Sequence, residues 1–421
     1  MKAMVDFLTE KVGSYLNKII KDTVMQTSIR IPQTEYETRV KRLLEYLTSE
    51  NLSGVVLFDN FYILYYTGFA FIPTERPIAF MINSSGECSL FVPYLEIEHA
   101  RANALVHKVD HYEEYPGHPH PMEVFKPTLL DLGIKGRIGA DNDGYPWILG
   151  YRGPSLSELA GADVICISGF IEDQMMIKSP AELTLIRESV KWGHLAHVLL
   201  QRYTKVGVSE TEASQRASFE ANIIMLDTIG PIYQAQSPFS DGVGAGYRGQ
   251  IGRNAAIPHA LANNITFQRG DILVSGASAP VWGYNSELER TMVIGKATDK
   301  QKQMFDHMVA LQDIGIRSLA PGVCCAEVDR QVRAYYEKND LMQFWKHHVG
   351  HAIGMRYHEG PFLDLGDQTK IKAGMVFTVE PGIYLPDLGG FRHSDTVIIT
   401  EEGQEVITYY PRDLDSLTIP G

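Results

Sequence analysis

The chain has 421 residues, of which 44% are hydrophobic and 21% charged, with a formal net charge of −13 at pH 7. This is the profile of a soluble globular protein with room for two domains. The acidic balance excludes nucleic acid or an anionic membrane as the main partner, and the four cysteines, Cys88, Cys166, Cys324 and Cys325, contain no CxxC pair and form neither a zinc framework nor a disulfide scaffold.

The first stretch, MKAMVDFLTEKVGSYLNKIIKD, is amphipathic and charged throughout, unlike the apolar core of a signal peptide. Residues 1–22 are expected to form an extra helix with Phe7, Val12, Leu16 and Ile19 or Ile20 along one face. No apolar run reaches the roughly 18 residues of a membrane span, so the expectation is a cytoplasmic protein. A second helix follows in TEYETRVKRLLEYLTSENL, with Thr34 as N-cap and Glu37 three residues on. The short apolar runs GVVLF, YILYY, IAFMI and CSLFV, separated by turn residues, read as α/β material over residues 23–172.

The pattern changes within 170–178. Ser179 can cap a helix that has Pro180 at its first position, and residues 173–421 read as an α+β domain. Its amphipathic helices are expected at about 180–203, 209–225 and 300–319, with a fourth from about 325. Strand-like runs (GDILVSGA, TMVIG, GMVFTVEPGIYL, DTVIIT) lie between and after them.

Chemistry-bearing residues cluster in this second half. In GYNSELERT, Glu287 and Glu289 are two apart, so on a strand both face one side. Such a pair could hold a metal, hold a cationic substrate or face water. Glu380 lies inside an apolar run, where an unpaired charge is costly; it needs a cation, a metal or a proton. His259 follows Pro258, His351 and His358 stand among glycines, and GFRHSDT adds Arg392, His393 and Asp395. His347 and His348 read as surface residues.

Taken in order, PH … GD … GY … ERT … GH … HEGP … EPG … D resembles the creatinase/aminopeptidase P/methionine aminopeptidase family. The resemblance runs from Lys178 to about Gly403, and the N-terminal half is similar to the non-catalytic domain of creatinase and prolidase. It implies an α+β chain: a C-terminal pita-bread catalytic domain with a smaller α/β N-terminal domain of creatinase/prolidase type. The family's peptidases hold two divalent ions with two Asp, one His and two Glu. Those positions are here Gly276, Glu287, His351, Glu380 and Ser394. Glycine supplies no carboxylate, so a dinuclear site is not expected.

The resemblance in site residues is closer to the metal-free creatinase branch. It implies His259 as acid–base catalyst, with Glu289 and Glu380 gripping a guanidinium group. Arg76, from a neighbouring subunit, would meet a substrate carboxylate, in a homodimer with shared active sites. Glu287, Tyr284, His351 and His358 join the substrate-binding set, and Arg356 stands in for a second clamping arginine. The implied activity is creatinase-like, metal-independent hydrolysis of a non-peptide C–N bond (creatine and water to sarcosine and urea). No cofactor is implied, and the substrate would be a small cationic or zwitterionic molecule. The main alternative is an Xaa-Pro-type peptidase or related lyase with a single metal on Glu287, His351 and Glu380; the other is a non-catalytic binding module.

Overall fold

The computed structural model describes residues 29–230 and 242–421; the helix expected over 1–22 lies outside them. The chain divides into two compact units, one spanning Ile31–Met175 and one formed by the described residues before Ile31 and from Met176 onward. Among the described residues no helix is long and apolar enough to cross a membrane, and all four cysteines are free.

The N-terminal unit opens with helix α1 (Gln33–Ser49). Its start differs from the sequence expectation. Pro32 is held extended (φ −71°, ψ 152°) just ahead of the first turn, so the helix begins at Gln33 with no side-chain cap. Glu37 accepts a hydrogen bond from Gln33 Nε2 at 2.9 Å instead of closing a box with Thr34. Six strands follow: β1 (Gly54–Leu57), β2 (Ala79–Asn83), β3 (Cys88–Pro93), β4 (Lys108–Tyr112), β5 (Ile138–Ala140) and β6 (Val164–Cys166). They form one mixed sheet in the order β4-β3-β2-β1-β5-β6. The run-like strands are buried from end to end in β1, β2 and β3, as expected where a sheet is covered on both faces.

In the second unit, helix α2 (Pro180–Tyr203) starts as its sequence predicts. Ser179 and Glu182 form a capping box, and Pro180 takes the first helical position. Helices α3 (Glu210–Ile229), α4 (Asp299–Ser318) and α5 (Cys325–Lys338) complete the expected set. Nine strands form the main sheet: β7 (Gly244–Gly246), β8 (Ile272–Ser278), β9 (Leu288–Ile294), β10 (His351–Ala352), β11 (Glu359–Phe362), β12 (Val376–Val379), β15 (Ser394–Thr400), β16 (Gly403–Val406) and β17 (Thr418–Ile419). A separate hairpin joins β13 (Gly382–Leu385) to β14 (Gly389–Arg392). The main path is β11-β10-β12-β15-β9-β8-β7.

Three registers in this sheet set the site. Gly276 on β8 pairs with Glu289 on β9, and Glu289 pairs in turn with Ser394 on β15. Residues directly opposite share a face, so Gly276, Glu289 and Ser394 form one row across three strands. Val379 on β12 pairs with Asp395, which leaves Glu380 at the end of β12, beside that row. Helix α4 reaches the sheet closely because Gly315 has no side chain; a Cβ there would lie 2.8 Å from Val379 Cγ1.

Candidate metal site

Glu287 stands one residue before β9 and Glu289 within it, two residues apart, so the strand period aims both at one cavity. The cavity, about 640 Å³, lies wholly in the second unit and includes Arg248, His259, Gly276, Glu287, Glu380 and Arg392 in its lining. His351 is brought in by β10, only two residues long. One ligand atom each from Glu287, His351 and Glu380 lies within 4.8 Å of the others.

The hydrogen bonds fix the state of His351. Its Nδ1 lies 2.9 Å from the carbonyl of Ala352, so Nδ1 carries the proton and donates. Nε2 is then the ring nitrogen turned toward the carboxylates. That atom is buried and makes no hydrogen bond among the described residues; Glu380 Oε1 is 3.4 Å away. Two carboxylates around a buried ring nitrogen call for positive charge between them, a proton or a metal ion. Burial, together with the Glu380 and Glu289 carboxylates, pushes Glu287 up to about 8. Burial opposes a charged imidazole, but the Glu380 and Glu287 carboxylates overcome it and pull His351 up to about 9. Two carboxylate groups and one imidazole nitrogen suit a divalent ion such as Mn²⁺, Co²⁺ or Zn²⁺. The residues therefore fit a single ion. They do not fit a second: Gly276 offers no side chain, and Ser394 donates its hydroxyl to Glu287 Oε1 at 2.6 Å.

Glu289, between those two positions, is already paired. Arg392 grips it bidentately, Nη2 to Oε1 at 2.8 Å and Nε to Oε2. Arg248 Nη2 adds a bond to Oε1 at 3.1 Å. The carboxylate expected to hold a substrate guanidinium thus holds the chain's own. Arg392 continues the network behind Glu380. It lies 3.6 Å from Glu380 Oε2, and its Nη1 donates to Tyr384 Oη at 3.1 Å. Tyr384 Oη meets His347 Nε2 at 2.7 Å, and His347 Nδ1 lies 2.8 Å from the His348 carbonyl. His347 is therefore a half-buried member of the site's support and not a surface residue. Burial pushes its imidazole down, against the pull of Glu380.

The other expected residues fall as follows. His259 is exposed and lines the cavity, as does His358, whose ring stacks on His351 with centroids 4.0 Å apart. Tyr284 is buried and donates to Glu182 Oε1 on α2 at 2.7 Å, so it braces the fold away from the described cavity wall. Arg356 is likewise not among the described lining residues. His393 turns away: its Nδ1 accepts from the Thr291 amide at 3.1 Å and its Nε2 faces the Arg412 carbonyl. Arg76, in the N-terminal unit, bonds Glu114 at 2.7 Å and Glu75 at 2.6 Å. Sequence reasoning overlooked Arg248, Tyr384 and the His347 contact, because the pairings to Glu289, Arg392 and Tyr384 follow no local motif.

The family model for metallopeptidase family M24 matches residues 184–401. That for the creatinase/prolidase N-terminal domain matches residues 39–177. An Xaa-Pro dipeptidase of Pyrococcus horikoshii is 26% identical over 386 residues, covering 89% of this chain and 98% of the relative. One from Pyrococcus furiosus is 27% identical over 381 residues, covering 89% and 99%. The solved prolidase of P. horikoshii superposes with a TM-score of 0.75 at 25% identity, over 90% of this chain and 99% of that one. The two-domain pita-bread organisation is therefore that of prolidase structures. These relatives overturn the metal-independent, creatinase-like reading. The chain is similar over 89% of its length to Xaa-Pro dipeptidases, whose names give them peptide bonds as substrates. The pairing of Glu289 with Arg392 supplies the physical reason.

Proposed function

Since the chain belongs to metallopeptidase family M24, we propose that it is a metal-dependent peptidase of the Xaa-Pro dipeptidase kind, working with a single divalent ion held by Glu287, His351 and Glu380. The observation that carries this reading is the bare, buried Nε2 of His351 facing two carboxylates. A divalent ion in that place supplies Lewis-acid activation of a carbonyl and of water.

The chain's own residues supply the rest. Glu287 is oriented by Ser394, and its amide donates to Thr396 Oγ1 at 2.8 Å. Glu380 is steadied by Arg392, itself fixed through Tyr384 and His347. His259 and His358 face the cavity and are the proton carriers: one deprotonates water and returns the proton to the leaving nitrogen. Help of this kind is typically worth ~10²–10⁴-fold.

The test is cleavage of alanyl-proline by protein purified with Mn²⁺, with and without a chelator, beside the His351→Ala variant. Cleavage lost on chelation, restored by the ion and absent in the variant is the expected result. Chelator-resistant cleavage, or an inert metal-loaded enzyme, would sink the proposal.

A further inference from the structure

The cavity has an acidic end, and it also has a basic wall. We propose that Arg248 is the anchor for the C-terminal carboxylate of the dipeptide, and so a specificity-determining residue; this rests on the peptidase reading above.

Arg248 lines the same cavity as Glu287, Glu380 and His259. Its side chain is 56% exposed, whereas Arg392, the other arginine there, is 3% exposed. The difference decides which guanidinium is available. Arg392 makes bonds through Nε, Nη1 and Nη2, to Glu289, Tyr384, Gln250 and the Pro258 carbonyl. Arg248 is held through Nη2 alone, by Glu289 at 3.1 Å and Gln250 at 3.3 Å. Its Nε and Nη1 donors make no hydrogen bond among the described residues, and a planar guanidinium presents such donors as a fork suited to carboxylate.

The backbone shows that the side chain is placed there at some cost. Arg248 has φ +52°, in the left-handed region that a long side chain seldom adopts. It precedes Gly249 at φ +75°, and Tyr247, on its other side, is buried. Strain of this kind is kept where the surroundings over-determine it and often marks a ligand contact. Glu289 and Gln250 do the over-determining, which gives Glu289 a role: it is a positioning residue that ties the anchor to β9.

The opposite strand leaves room. Gly246 on β7 faces Gly276 on β8, so no side chain rises from either position between Arg248 and the Glu287 cluster. A zwitterionic dipeptide has its ammonium and carboxylate at opposite ends. Arg248, the exposed guanidinium of the cavity lining, takes the second. A substrate with a blocked C-terminus would lose this contact.

The test is calorimetric binding to the metal-loaded protein of reduced-bond alanyl-proline, in which CH₂ replaces the scissile carbonyl, and of its C-terminal amide. Neither ligand can be cleaved, so binding is read independently of turnover. The wild type should bind the acid about 10- to 100-fold tighter than the amide, the range of a charge-assisted hydrogen-bonded contact. Arg248→Gln should bind both alike, while Arg248→Lys should keep part of the preference. A preference retained in Arg248→Gln overturns the assignment, as does a wild type that fails to discriminate or binds neither ligand. If the preference is lost in the variant but alanyl-proline is not hydrolysed by the wild type, the anchor stands and the peptidase reading falls.

Discussion

At the scale of single residues the site turns on where Glu287, Glu289 and Glu380 find positive charge. Glu380 inside an apolar run, and Glu287 beside Glu289 on a strand, need cations wherever the chain goes. What they pair with was not legible. Glu289 meets Arg392, 103 positions along the chain, and no local pattern announces that contact. A motif that fits a substrate guanidinium fits a protein guanidinium equally well, so the sequence alone does not separate the two. Two predictions belong here. Glu289→Gln should destabilise the second unit by about 3 kcal/mol, since it breaks a buried ion pair and leaves Arg392 under-compensated; denaturant titration measures it. Tyr384→Phe removes the link between Arg392 and His347. It should lower metal affinity or turnover by about 10–100-fold, as the loss of groups supporting a ligand does, with little change in the far-UV spectrum.

Helices were the most legible elements. The sequence Ser179-Pro180 with Glu182 spells the start of α2 because caps are local chemistry. Strand order was not legible, since pairing joins β9 to β15 across more than 100 positions. That register puts Glu289 between Gly276 and Ser394, the two places where the family resemblance expected acidic ligands. The pairing yields a prediction about the element. Gly276 is open enough for a side chain, its Cβ position lying 3.6 Å from Glu289 Oε1. The double variant Gly276→Asp, Ser394→Glu should therefore raise the bound metal from a single ion toward a pair, read by elemental analysis. No change would mean that Glu289 and its arginines hold that place too firmly. The short strand β10 depends on close approach: a Cβ at Gly350 would lie 2.0 Å from the Thr378 carbonyl oxygen. Gly350→Ala should thus displace His351 and weaken metal binding, which a competitive chelator titration detects.

For the whole molecule, pH sensitivity follows from two histidines buried in the second unit. Burial, reinforced by Arg290, holds both His197 and His393 well below the ordinary imidazole value. Above about pH 6.5 folded and unfolded chains both keep these rings neutral, so neither contributes. Below it, the unfolded chain takes up protons that the folded chain refuses, so stability falls as pH falls. The slope is about 1.4 kcal/mol per pH unit for each ring until its folded value is reached. Denaturant midpoints between pH 7 and 5 should show this decline, and His197→Gln should make it shallower. The α+β class of the second unit was legible from its runs of helices and antiparallel strands, whereas the choice between a metal and a substrate cation in the cavity was not.

The measurement that bears most directly on that choice is the metal content of the purified chain, taken together with its hydrolysis of alanyl-proline. A single divalent ion per chain, lost together with activity on chelation and absent from His351→Ala, is the predicted result. Metal-free protein that keeps its activity in the presence of chelator, or a full pair of ions in the unmodified chain, would contradict the account.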